Sequence, residues 1–449
     1  MTGSANYIPA VRQQYEEFPY PERDPADEKK RLLLSYLSRM DAVNHHCFKG
    51  RQDFRDFRVL VAGGGTGDNL IALAEQLRGK ENSSVVYLDM SEASAAIARK
   101  RADTRRLDNI TWINDSLLNI PDLNLGKFDF VECNGVLHHL KDPDAGLRAL
   151  ASVLKPGGGM NLMVYAPYGR TGIYQVQNLM RLINGDEGSP RKKIKNTKEI
   201  LKALPPYHWF NASKLLGLVT YSDAENDAGI YDLFLHAQDR AFTILEVHDW
   251  LERCGLKMAS EPGYCYNQLS YMPEQHIKDK NLLGMIRKYP LKIQQAIGEA
   301  ISTKITKHEF YAVHRDAAEP VAKITDTDIV PWAGMASHIS FEQLASMAQQ
   351  HRDTFTLTFD KLPGRPMIVV PEGKYVADIL RKIDGLRTVA EIVGEIRNNP
   401  KYNTPPGEEE ILRDFEDLFM SLNRGHAAYL RHKSVEPFIS AKELGDRVL

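Results

Sequence analysis

The chain has 449 residues, a length that predicts two or three domains. It carries 57 basic and 59 acidic residues, so its net charge of −2 predicts no overall attraction to nucleic acid or an anionic membrane. The hydrophobic fraction of 43% and the charged fraction of 26% are typical of a globular protein. No apolar run approaches the roughly 18 residues of a membrane span, and no secretory signal is expected.

The cysteines are widely spaced and form no CxxC pair; they are Cys47, Cys133, Cys254 and Cys265. This spacing predicts neither a disulfide scaffold nor a zinc site, and no metal is expected. Unpaired cysteines favour a reducing compartment, so we expect a cytoplasmic protein.

The first part of the chain predicts an arm and then an α/β core. Residues 1–30 are typical of an irregular arm or short helix, and the pattern from Lys30 to about His46 has helical spacing. Strand-like and helix-like segments then alternate from residue 58 to 163, which predicts βαβ units and a parallel sheet. Its strands are predicted at 58–62, 84–90, 109–115, 127–134 and 160–166, with a turn at 155–159.

Helical patterns dominate the next part of the chain, as far as residue 315. The predicted segments are a helix at 172–183, a solvated basic loop at 191–198 that leads into another helix, an amphipathic helix that ends near 255, a late strand at 256–265, and mainly helix at 276–315. The segment 316–335 has little periodicity and is predicted to be a linker.

A separate small unit is predicted at 336–449. The segments DTFTLTF and PMIVVP favour two strands, and KYVADILRKI and VAEIVGEIR favour two helices joined by the turn DGLRT. A longer helix and a final strand-like segment follow. This order resembles a winged helix.

The strongest local motif is a glycine run between the first strand and the next helix. Gly63, Gly65 and Gly67 form a GxGxG pattern, in which glycines allow close approach of a ligand to the backbone. Nicotinamide and nucleoside-binding enzymes both use such a loop. Asp89 ends the second strand, where a carboxylate can accept hydrogen bonds from ribose hydroxyls. Asp115 ends the third strand, where a carboxylate can bind an adenine amino group.

The chain resembles the class I S-adenosylmethionine-dependent methyltransferases. The segments that carry the resemblance are VLVAGGGTG, YLDMS, INDS, FDFVECNGVLHHL and LKPGG, in this order between residues 59 and 158. Val61 and Gly64 depart from the family pattern VLDxGCGTG, where an Asp and a Cys stand. A dehydrogenase would share the glycine loop and Asp89 but would not explain Asp115, the HHL segment or the LKPGG turn.

The resemblance implies a role in binding S-adenosylmethionine for each matching residue. The glycines would lie along the methionine part of the cofactor, and Asp89 would hold the ribose. Asp115 would contact the adenine, with Met90 and Ser116 on either side of it. The asparagine after the fourth strand would lie beside the sulfonium. The implied cofactor-binding residues are Gly63, Gly65, Gly67, Asp89, Met90, Asp115, Ser116 and Asn134.

Candidate residues for the methyl acceptor are less sharply defined. His138 and His139 follow Asn134 closely, and an imidazole that titrates near neutrality can act as a base, although this segment can also be structural. The N-terminal arm is expected to fold over the cofactor. Tyr15 and Tyr20 would then either cap the active site or only anchor the arm.

Further candidates follow the fifth strand, on the side where substrates enter. Tyr168 and Arg170 lie there, and Arg170 could bind a carboxylate or phosphate or form a surface ion pair. His236, Asp239 and Arg240 form a polar group that could line the substrate pocket or hold a loop in place.

The C-terminal segment resembles the PqqD-like and winged-helix family, some of whose members hold peptides. Similar additions occur in bacterial protein-lysine methyltransferases. DNA binding is not expected, because VAEIVGEIR carries two Glu and one Arg. The unit could also only mediate dimerisation, so a homodimer stays open.

The sequence therefore predicts a doubly wound, Rossmann-like α/β methyltransferase. The expected parts are an N-terminal cap (1–50), a core with a helical insertion (51–315), a linker (316–335) and a winged-helix-like unit (336–449). The expected reaction is methyl transfer from S-adenosylmethionine to a protein or peptide side-chain nitrogen, with no membrane partner. A small molecule or tRNA as acceptor, or a catalytically silent cofactor-binding protein, are the alternatives.

Overall fold

A seven-stranded β-sheet forms the centre of residues 58–314. The computed structural model describes residues 8–185, 188–215, 224–260, 268–334, 340–351, 353–358 and 367–446. The strands of this sheet are β1 (Arg58–Ala62), β2 (Ser84–Asp89), β3 (Ile110–Asn114), β4 (Phe128–Asn134), β5 (Leu154–Tyr165), β6 (Leu256–Met258) and β7 (Lys307–His314). Their order is β3-β2-β1-β4-β5-β7-β6, and β7 runs antiparallel to both of its neighbours within an otherwise parallel sheet.

Helices cover both faces of the sheet, because β1 and its neighbours are apolar on both sides. One face packs against α2 (Met40–Cys47), α3 (Asp68–Leu77) and α4 (Glu92–Thr104). The other face packs against α5 (Pro143–Val153) and α10 (Ile244–Arg253). The predicted doubly wound α/β fold is thus confirmed, and its parallel strands end together at one edge.

A helical insertion follows β5 and has a small core of its own. Its helices are α6 (Thr171–Asn184), α7 (Pro190–Ala203), α8 (Trp209–Leu215) and α9 (Asp227–Phe234). Ile173, Ile194, Phe210 and Phe234 pack together at its centre. Two further helices, α11 (Lys280–Ile286) and α12 (Leu291–Ser302), precede β7.

The N-terminal segment 8–31 lies across the edge where the parallel strands end. It contains α1 (Pro9–Glu17) and a 3-10 turn at Pro25–Lys29. Glu28 is buried and forms ion pairs with Arg101, at 2.6 Å, and with Arg105. Arg23 binds Asp68 at the start of α3, with 2.7 Å between Nη2 and Oδ2. These ion pairs fix the segment on the core.

The C-terminal unit contains two small antiparallel sheets and five helices in the part that the structure describes. The elements are β8 (Ile329–Ala333), α13 (Phe341–Gln350), β9 (Phe355–Thr358), β10 (Met367–Val370), α14 (Val376–Lys382), α15 (Val389–Arg397), α16 (Glu408–Arg424), β11 (Ala428–His432) and α17 (Ala441–Asp446). β8 pairs with β11, and β9 pairs with β10. The helix–turn–helix order is present in α14 and α15, while the winged-helix assignment stays a prediction.

The C-terminal unit packs on α2 through polar contacts. The backbone N–H of Leu430 donates to Nδ1 of His45 at 3.3 Å, and Trp332 Nε1 donates to Asp41 at 3.1 Å. Burial lowers the pKa of His45 to about 3, which keeps Nδ1 free to accept. Asp41 also forms a buried ion pair with Arg39. This unit is therefore joined to the core rather than tethered by a free linker.

Several predicted boundaries were wrong, and strand pairing explains most of them. Residues 155–159 belong to β5 rather than to a turn. β5 already pairs with β4 at Leu154 and Phe128, and the pairing resumes at Gly159 and Phe130 after a register shift. Residues 307–314 are β7 rather than helix, since this segment fills the sheet between β5 and β6. Part of the predicted linker is β8, which pairs with β11.

Two helix predictions also need correction. The pattern from Lys30 to His46 gives only a 3-10 turn at 36–38 and α2 at Met40–Cys47, because residues 31–35 form no helix. The basic stretch 191–198 is not a loop but lies within α7, where Ile194 and Thr197 face the core.

Some predictions fall outside the described residues: residues 1–7, Cys265 with the end of the proposed strand 256–265, and residues 336–339 of the C-terminal unit. In the described part, no helix combines the length and apolar character needed to cross a bilayer.

Candidate functional site

The glycine loop between β1 and α3 is shaped by its neighbours. Gly63 and Gly65 both have positive φ, +73° and +50°. A Cβ on Gly63 would lie 2.3 Å from Cγ2 of Val136, and one on Gly65 would lie 2.8 Å from the carbonyl oxygen of Tyr20. Any side chain here would displace either the loop after β4 or the N-terminal segment. The third glycine, Gly67, has φ +99° at the start of α3.

Gly64, the first departure from the family pattern, is explained by Tyr87. A Cβ at Gly64 would lie 2.5 Å from Cε2 of the Tyr87 ring. The Tyr87 hydroxyl donates to the carbonyl oxygen of Gly65 at 2.7 Å. Tyr87 thus occupies the space that a cysteine side chain would take and holds the loop by its hydroxyl.

Val61, the second departure, lies beside a buried carboxylate on the neighbouring strand. Val61 on β1 is in register with Glu132 on β4, so both side chains point to the same face of the sheet. Asn69 Nδ2 donates to Glu132 at 2.6 Å, and burial raises the pKa of Glu132 to about 8. The family pattern has an Asp at position 61. In this chain a carboxyl group lies on the neighbouring strand instead, at Glu132.

The acids predicted to hold the ribose and adenine lie at adjacent strand ends. Asp89 accepts from the backbone N–H groups of Gly65 and Ser91, each at 2.8 Å, and burial raises its pKa against the effect of these donors. The N–H of Asp115 donates to the carbonyl oxygen of Asp89 at 3.1 Å. Asp115 in turn accepts from Asn119 at 2.7 Å. Adjacent strand ends thus bring the backbones of Asp89 and Asp115 into contact, while their roles toward ribose and adenine stay predictions.

The neighbours of these acids take local roles. Ser116 caps the 3-10 helix 117–122, where its hydroxyl accepts from the N–H of Leu118. Met90 is half-buried directly after Asp89.

Asn134 provides the test of whether a cofactor fits between these loops. Its Oδ1 is buried and has no hydrogen-bond partner among the described residues. The segment after Asn134 touches the glycine loop through Val136 and Gly63. A buried amide oxygen without a partner is costly, so a donor supplied by a ligand would complete the site. The residues present therefore fit a ligand with hydrogen-bond donors.

A buried polar cluster lies at the ends of β4 and β5. Its members are Tyr15, His139, Tyr165, Arg170, Asp232, His236 and Asp239. The Tyr15 hydroxyl donates to Oδ1 of Asp232 at 3.0 Å and lies 3.2 Å from Nε2 of His236. Tyr165 Oη is 3.5 Å from Oδ2 of Asp232. Burial raises the pKa of Asp232, which is 3% exposed.

Backbone contacts fix the protons on the two histidines of the cluster. The N–H of Gln238 donates to Nδ1 of His236 at 3.1 Å, so a neutral His236 carries its proton on Nε2. The carbonyl oxygen of Gln238 accepts from Nδ1 of His139 at 2.7 Å, which leaves a lone pair on Nε2 of His139. The two rings stack with 3.7 Å between centroids. Burial keeps the pKa of His236 well below its ordinary value.

One set of side chains has the spacing of a metal site. One ligand atom from each of His139, Asp232 and His236 lies within 4.8 Å of the others. Because Nε2 of His236 carries a proton toward Tyr15, it has no lone pair for a cation in this arrangement. The geometry is that of a directed hydrogen-bond chain, from His236 through Tyr15 to Asp232.

Arg170 and Tyr165 form the other side of the cluster. The Arg170 guanidinium lies 3.5 Å from the centroid of the Tyr165 ring and 3.8 Å from Asp239. Gln177 donates to Asp239 at 3.0 Å. Arg170 is only 5% exposed, and its Nε and Nη2 form no hydrogen bond among the described residues. Of the two alternatives for Arg170, the ion pair is present with Asp239, but it is buried rather than at the surface.

Other predicted residues lie at the margin of the cluster. His138 is fully buried against Tyr165, with 3.9 Å between rings, and neither of its nitrogens has a partner in the described part. Burial holds its pKa well below the ordinary value. Tyr168 is 40% exposed, and Arg240 faces solvent beside Glu246.

The backbone carbonyl oxygen of Tyr20 lies against the glycine loop, 2.8 Å from the position that a Cβ on Gly65 would take. The loop that bears His236 is pinned as well, since the N–H of Arg240 donates to the carbonyl oxygen of His138 at 3.0 Å. Within the polar group predicted at His236, Asp239 and Arg240, the first two side chains therefore line the cluster, and the backbone of Arg240 holds the loop.

Sequence reasoning missed Tyr165 and Asp232. Asp232 is a single acid within the apolar segment GIYDLF, and a lone acid on the buried face of a helix is a recognisable signal. Tyr165 is the last residue of β5, at the same edge as Asn134. Their meeting depends on the path of the insertion, which no local pattern predicts.

Comparisons with known proteins bear on the fold and on the kind of domain. Residues 60–160 match the protein-family model described as a methyltransferase domain (Methyltransf_12). An uncharacterized protein of Synechococcus sp., syc1184_c, is 29% identical over 249 residues, which are 55% of this chain and 58% of that protein. A ubiquinone biosynthesis O-methyltransferase of Albidiferax ferrireducens is 27% identical over 35% of this chain and 59% of that enzyme. The chain spans less than two thirds of the length of either relative.

A solved structure shares the fold over a greater length. PKMT2 from Rickettsia typhi superposes with a TM-score of 0.61 at 15% identity, over 89% of this chain and 76% of that chain. Another structure of PKMT2 is in complex with AdoHcy. Residues 60–160 thus form a methyltransferase domain of the Rossmann-like type, and its cofactor is S-adenosylmethionine.

Proposed function

We propose that the protein is an S-adenosylmethionine-dependent methyltransferase that acts on an amine nitrogen of a protein or peptide side chain. Asp232 is the observation that carries the choice of acceptor. Its carboxylate is buried beside Tyr15 and Tyr165, and no described lysine or arginine forms a salt bridge with it. A buried carboxylate without a cation is costly, so the ammonium form of an amine would find its counter-ion here.

The cluster can also accept the proton that an ammonium group must lose. When bound, S-adenosylmethionine supplies an electrophilic methyl group on a sulfonium. An ammonium nitrogen has no lone pair until one proton leaves, so a base beside it raises the rate. His139 Nε2 holds a lone pair in the cluster, and Asp232 and Tyr15 hold the acceptor nitrogen in place. Arrangement of the reacting groups supplies much of the remaining rate.

The Asn134 amide oxygen would accept a hydrogen bond at the junction of the two halves of the site. It lies between the glycine loop and the segment that leads to His138 and His139. The Asp89 and Asp115 carboxylates would orient the nucleoside end of the cofactor. These assignments follow from strand ends that meet at one edge of the sheet.

Asp232→Asn tests the proposed acceptor class. The experiment combines calorimetry with S-adenosylmethionine, S-adenosylhomocysteine and NAD, and transfer of a labelled methyl group to proteins in cell lysate. We expect micromolar binding of the first two compounds, no binding of NAD, and label on lysine-containing peptides that disappears in the variant. Binding without turnover on any acceptor would favour a catalytically silent protein, and binding of NAD would overturn the proposal.

A small-molecule acceptor is the second candidate, and Arg170 favours it. The buried guanidinium of Arg170 lies next to Tyr165, and its ion-pair partner Asp239 is 3.8 Å from Nη2, beyond hydrogen-bond distance. The guanidinium would suit a carboxylate on a small acid. Label found in the acid-soluble rather than the protein fraction of the lysate, and lost in Arg170→Lys, would support this candidate.

A further inference from the structure

The outer face of α7 carries positive charge that the proposed chemistry does not use. Within this helix six residues are basic and one is acidic. Ile194 and Thr197 face the core, whereas Arg191, Lys192 and Lys195 are exposed. Fourteen residues of helix extend about 21 Å. Asp186 and Glu187 precede the helix in the sequence, but they do not cancel its positive charge. The segment is therefore basic, whereas the whole chain has a net charge of −2.

Large apolar side chains lie exposed near both ends of this helix. Leu182, at the end of α6, is 84% exposed, and Asn184 two residues on is bound by Asn196 of α7 at 2.8 Å. Tyr207 is 86% exposed and Trp209 is 61% exposed, just beyond the end of α7. Exposed apolar groups beside a charged face are typical of a surface that binds a partner. We call Leu182, Arg191, Lys192, Lys195, Tyr207 and Trp209 the basic strip.

The basic strip is joined to the buried polar cluster at two places. A Cβ on Gly172 would lie 2.5 Å from the carbonyl carbon of Trp209, and Gly172 is two residues from Arg170. Lys198 on α7 binds Asp227 at 2.6 Å, and Asp227 begins the helix that carries Asp232. A partner held along the strip would therefore reach the surface around the cluster.

We propose that the basic strip binds an acidic segment, bearing apolar side chains, of the protein whose amine is methylated. This inference rests on the proposed function, since it identifies the kind of substrate that the same site receives. Positive charge selects an acidic partner and speeds its association. The aliphatic Leu182 and the flanking aromatic rings offer contacts to leucine-like side chains, whereas a phosphate backbone would gain nothing from Leu182. These features favour an acidic protein segment over a nucleic acid.

A binding experiment with the full chain tests this surface directly. The probe is a fluorescent 20-residue peptide of Glu and Leu with one central Lys, and the readout is fluorescence anisotropy. We expect Lys192→Glu/Lys195→Glu to weaken binding about tenfold, as expected for loss of complementary charge. Trp209→Ala should weaken it less. A peptide with Lys in place of Glu should not bind.

A second exposed surface provides the matched control. Lys280 and Lys288 are exposed near apolar Leu282 and Met285 on α11, so Lys280→Glu/Lys288→Glu changes the net charge equally. Binding of the acidic peptide within twofold of the unmodified protein is expected for this variant. Equal binding by the α7 variant, or a loss confined to the α11 variant, would overturn the proposal. If the unmodified protein binds mixed tRNA more tightly than the acidic peptide, and Lys192→Glu/Lys195→Glu abolishes that binding, the surface binds nucleic acid and the proposal is overturned.

Asp232→Asn separates this inference from the proposed function. This variant should still bind the acidic peptide, because the basic strip is unchanged, while methyl transfer to its lysine should disappear. If the unmodified protein binds the peptide but transfers no methyl group to any acceptor, the proposed function fails and the docking surface stands. If it transfers methyl groups but binds no acidic peptide, the docking surface fails and the function stands.

Discussion

The two sides of the candidate site, the proposed cofactor side and the proposed acceptor side, are assembled in different ways. Gly63, Asp89, Asp115 and Asn134 stand at the ends of β1, β2, β3 and β4, which are mutual neighbours in one sheet. On the acceptor side, by contrast, Tyr15 and Asp232 are 217 positions apart and meet through a single hydrogen bond. The first side depends on the strand order, and the second depends on how added helices are placed over the strand ends.

The two sides are held together by different kinds of contact. On the cofactor side, backbone atoms make many of the contacts, such as the Gly65 N–H that donates to Asp89. On the acceptor side, side chains contact side chains, as in the stack of His139 on His236. Side-chain contacts can change by single substitutions without altering the sheet, so under the proposed function this is the part of the fold that would set specificity for the methyl acceptor.

Tyr15 is the residue that connects the two sides. Its backbone carbonyl oxygen accepts a hydrogen bond from Oγ of Ser91 at 3.1 Å, and Ser91, two residues after Asp89, caps α4. Its hydroxyl lies in the buried polar cluster. The carboxylate of the next residue, Glu16, accepts from the N–H groups of Glu92 and Ala93. Helix α1 thus contacts both sides at once.

Asp232→Asn should have the largest effect, and it should impair methyl transfer without impairing cofactor binding. The amide cannot balance the charge of an ammonium group, so methyl transfer to lysate proteins should fall about 100-fold or more. Binding of S-adenosylhomocysteine should change less than threefold by calorimetry. Asp227→Asn, in the same helix but exposed, is the matched control and should retain activity. Equal loss of cofactor binding in Asp232→Asn would contradict the separation.

Gly65→Ala should damage the cofactor side. The new Cβ would press on the Tyr20 carbonyl oxygen at 2.8 Å and force the N-terminal segment away, so affinity for S-adenosylmethionine should fall about tenfold. Gly79→Ala is the control, because Gly79 also has positive φ but nothing lies within 4 Å of its Cβ position. Both variants should lose about 1–2 kcal/mol of stability from backbone strain. A similar loss of affinity in both would mean that strain alone is responsible.

Tyr15→Phe should reveal the connection between the sides with a smaller effect. It removes the hydroxyl from the chain between His236 and Asp232 but keeps the ring and the backbone contact to Ser91. We expect kcat to fall about fivefold, within the range for loss of one hydrogen bond, while cofactor affinity stays within twofold. Single-turnover transfer of labelled methyl and calorimetry measure the two quantities. An unchanged kcat would mean that Tyr15 only anchors the N-terminal arm and takes no part in methyl transfer.

Glu132→Gln should give the smallest effect, a pH-dependent change in stability. The folded protein holds a proton on Glu132 up to pH about 8, whereas an ordinary glutamic acid in the unfolded chain loses it near pH 4.5. The free energy of unfolding of the unmodified protein therefore falls as pH rises through this window. Glutamine has no proton to lose, so its variant should unfold about 5 °C higher at pH 8.5 and at the same temperature at pH 4.

Thermal unfolding followed by circular dichroism across this pH range would measure the difference. Asp129→Asn offers a comparison on the same strand, because Asp129 forms an ion pair with Lys155 at 2.8 Å. This second variant should be less stable at neutral pH rather than more stable. A Glu132→Gln effect that is independent of pH would contradict the assignment of a buried, neutral carboxyl group.

Short-range patterns predicted much of the core. The strand at 58–62 and the helix after the glycine run were placed correctly, because apolar runs, glycines and helix starts are local signals. Asp89 and Asn134 were also placed correctly at the ends of the second and fourth strands. Patterns failed at β7, a buried strand whose apolar residues fit a helix equally well. They also failed at α7, where exposed lysines masked a buried face.

The α/β core, the glycine loop and the strand-end acids could be predicted from the sequence, because they depend on residues close together in the chain. Three other features arise only when the chain folds: the buried cluster that joins Asp232, His236 and Tyr15, the Tyr87 ring beside Gly64, and Glu132 next to Val61. Such contacts join segments that are distant along the chain. They are set by the packing of helices and the register of strands, which no single segment encodes.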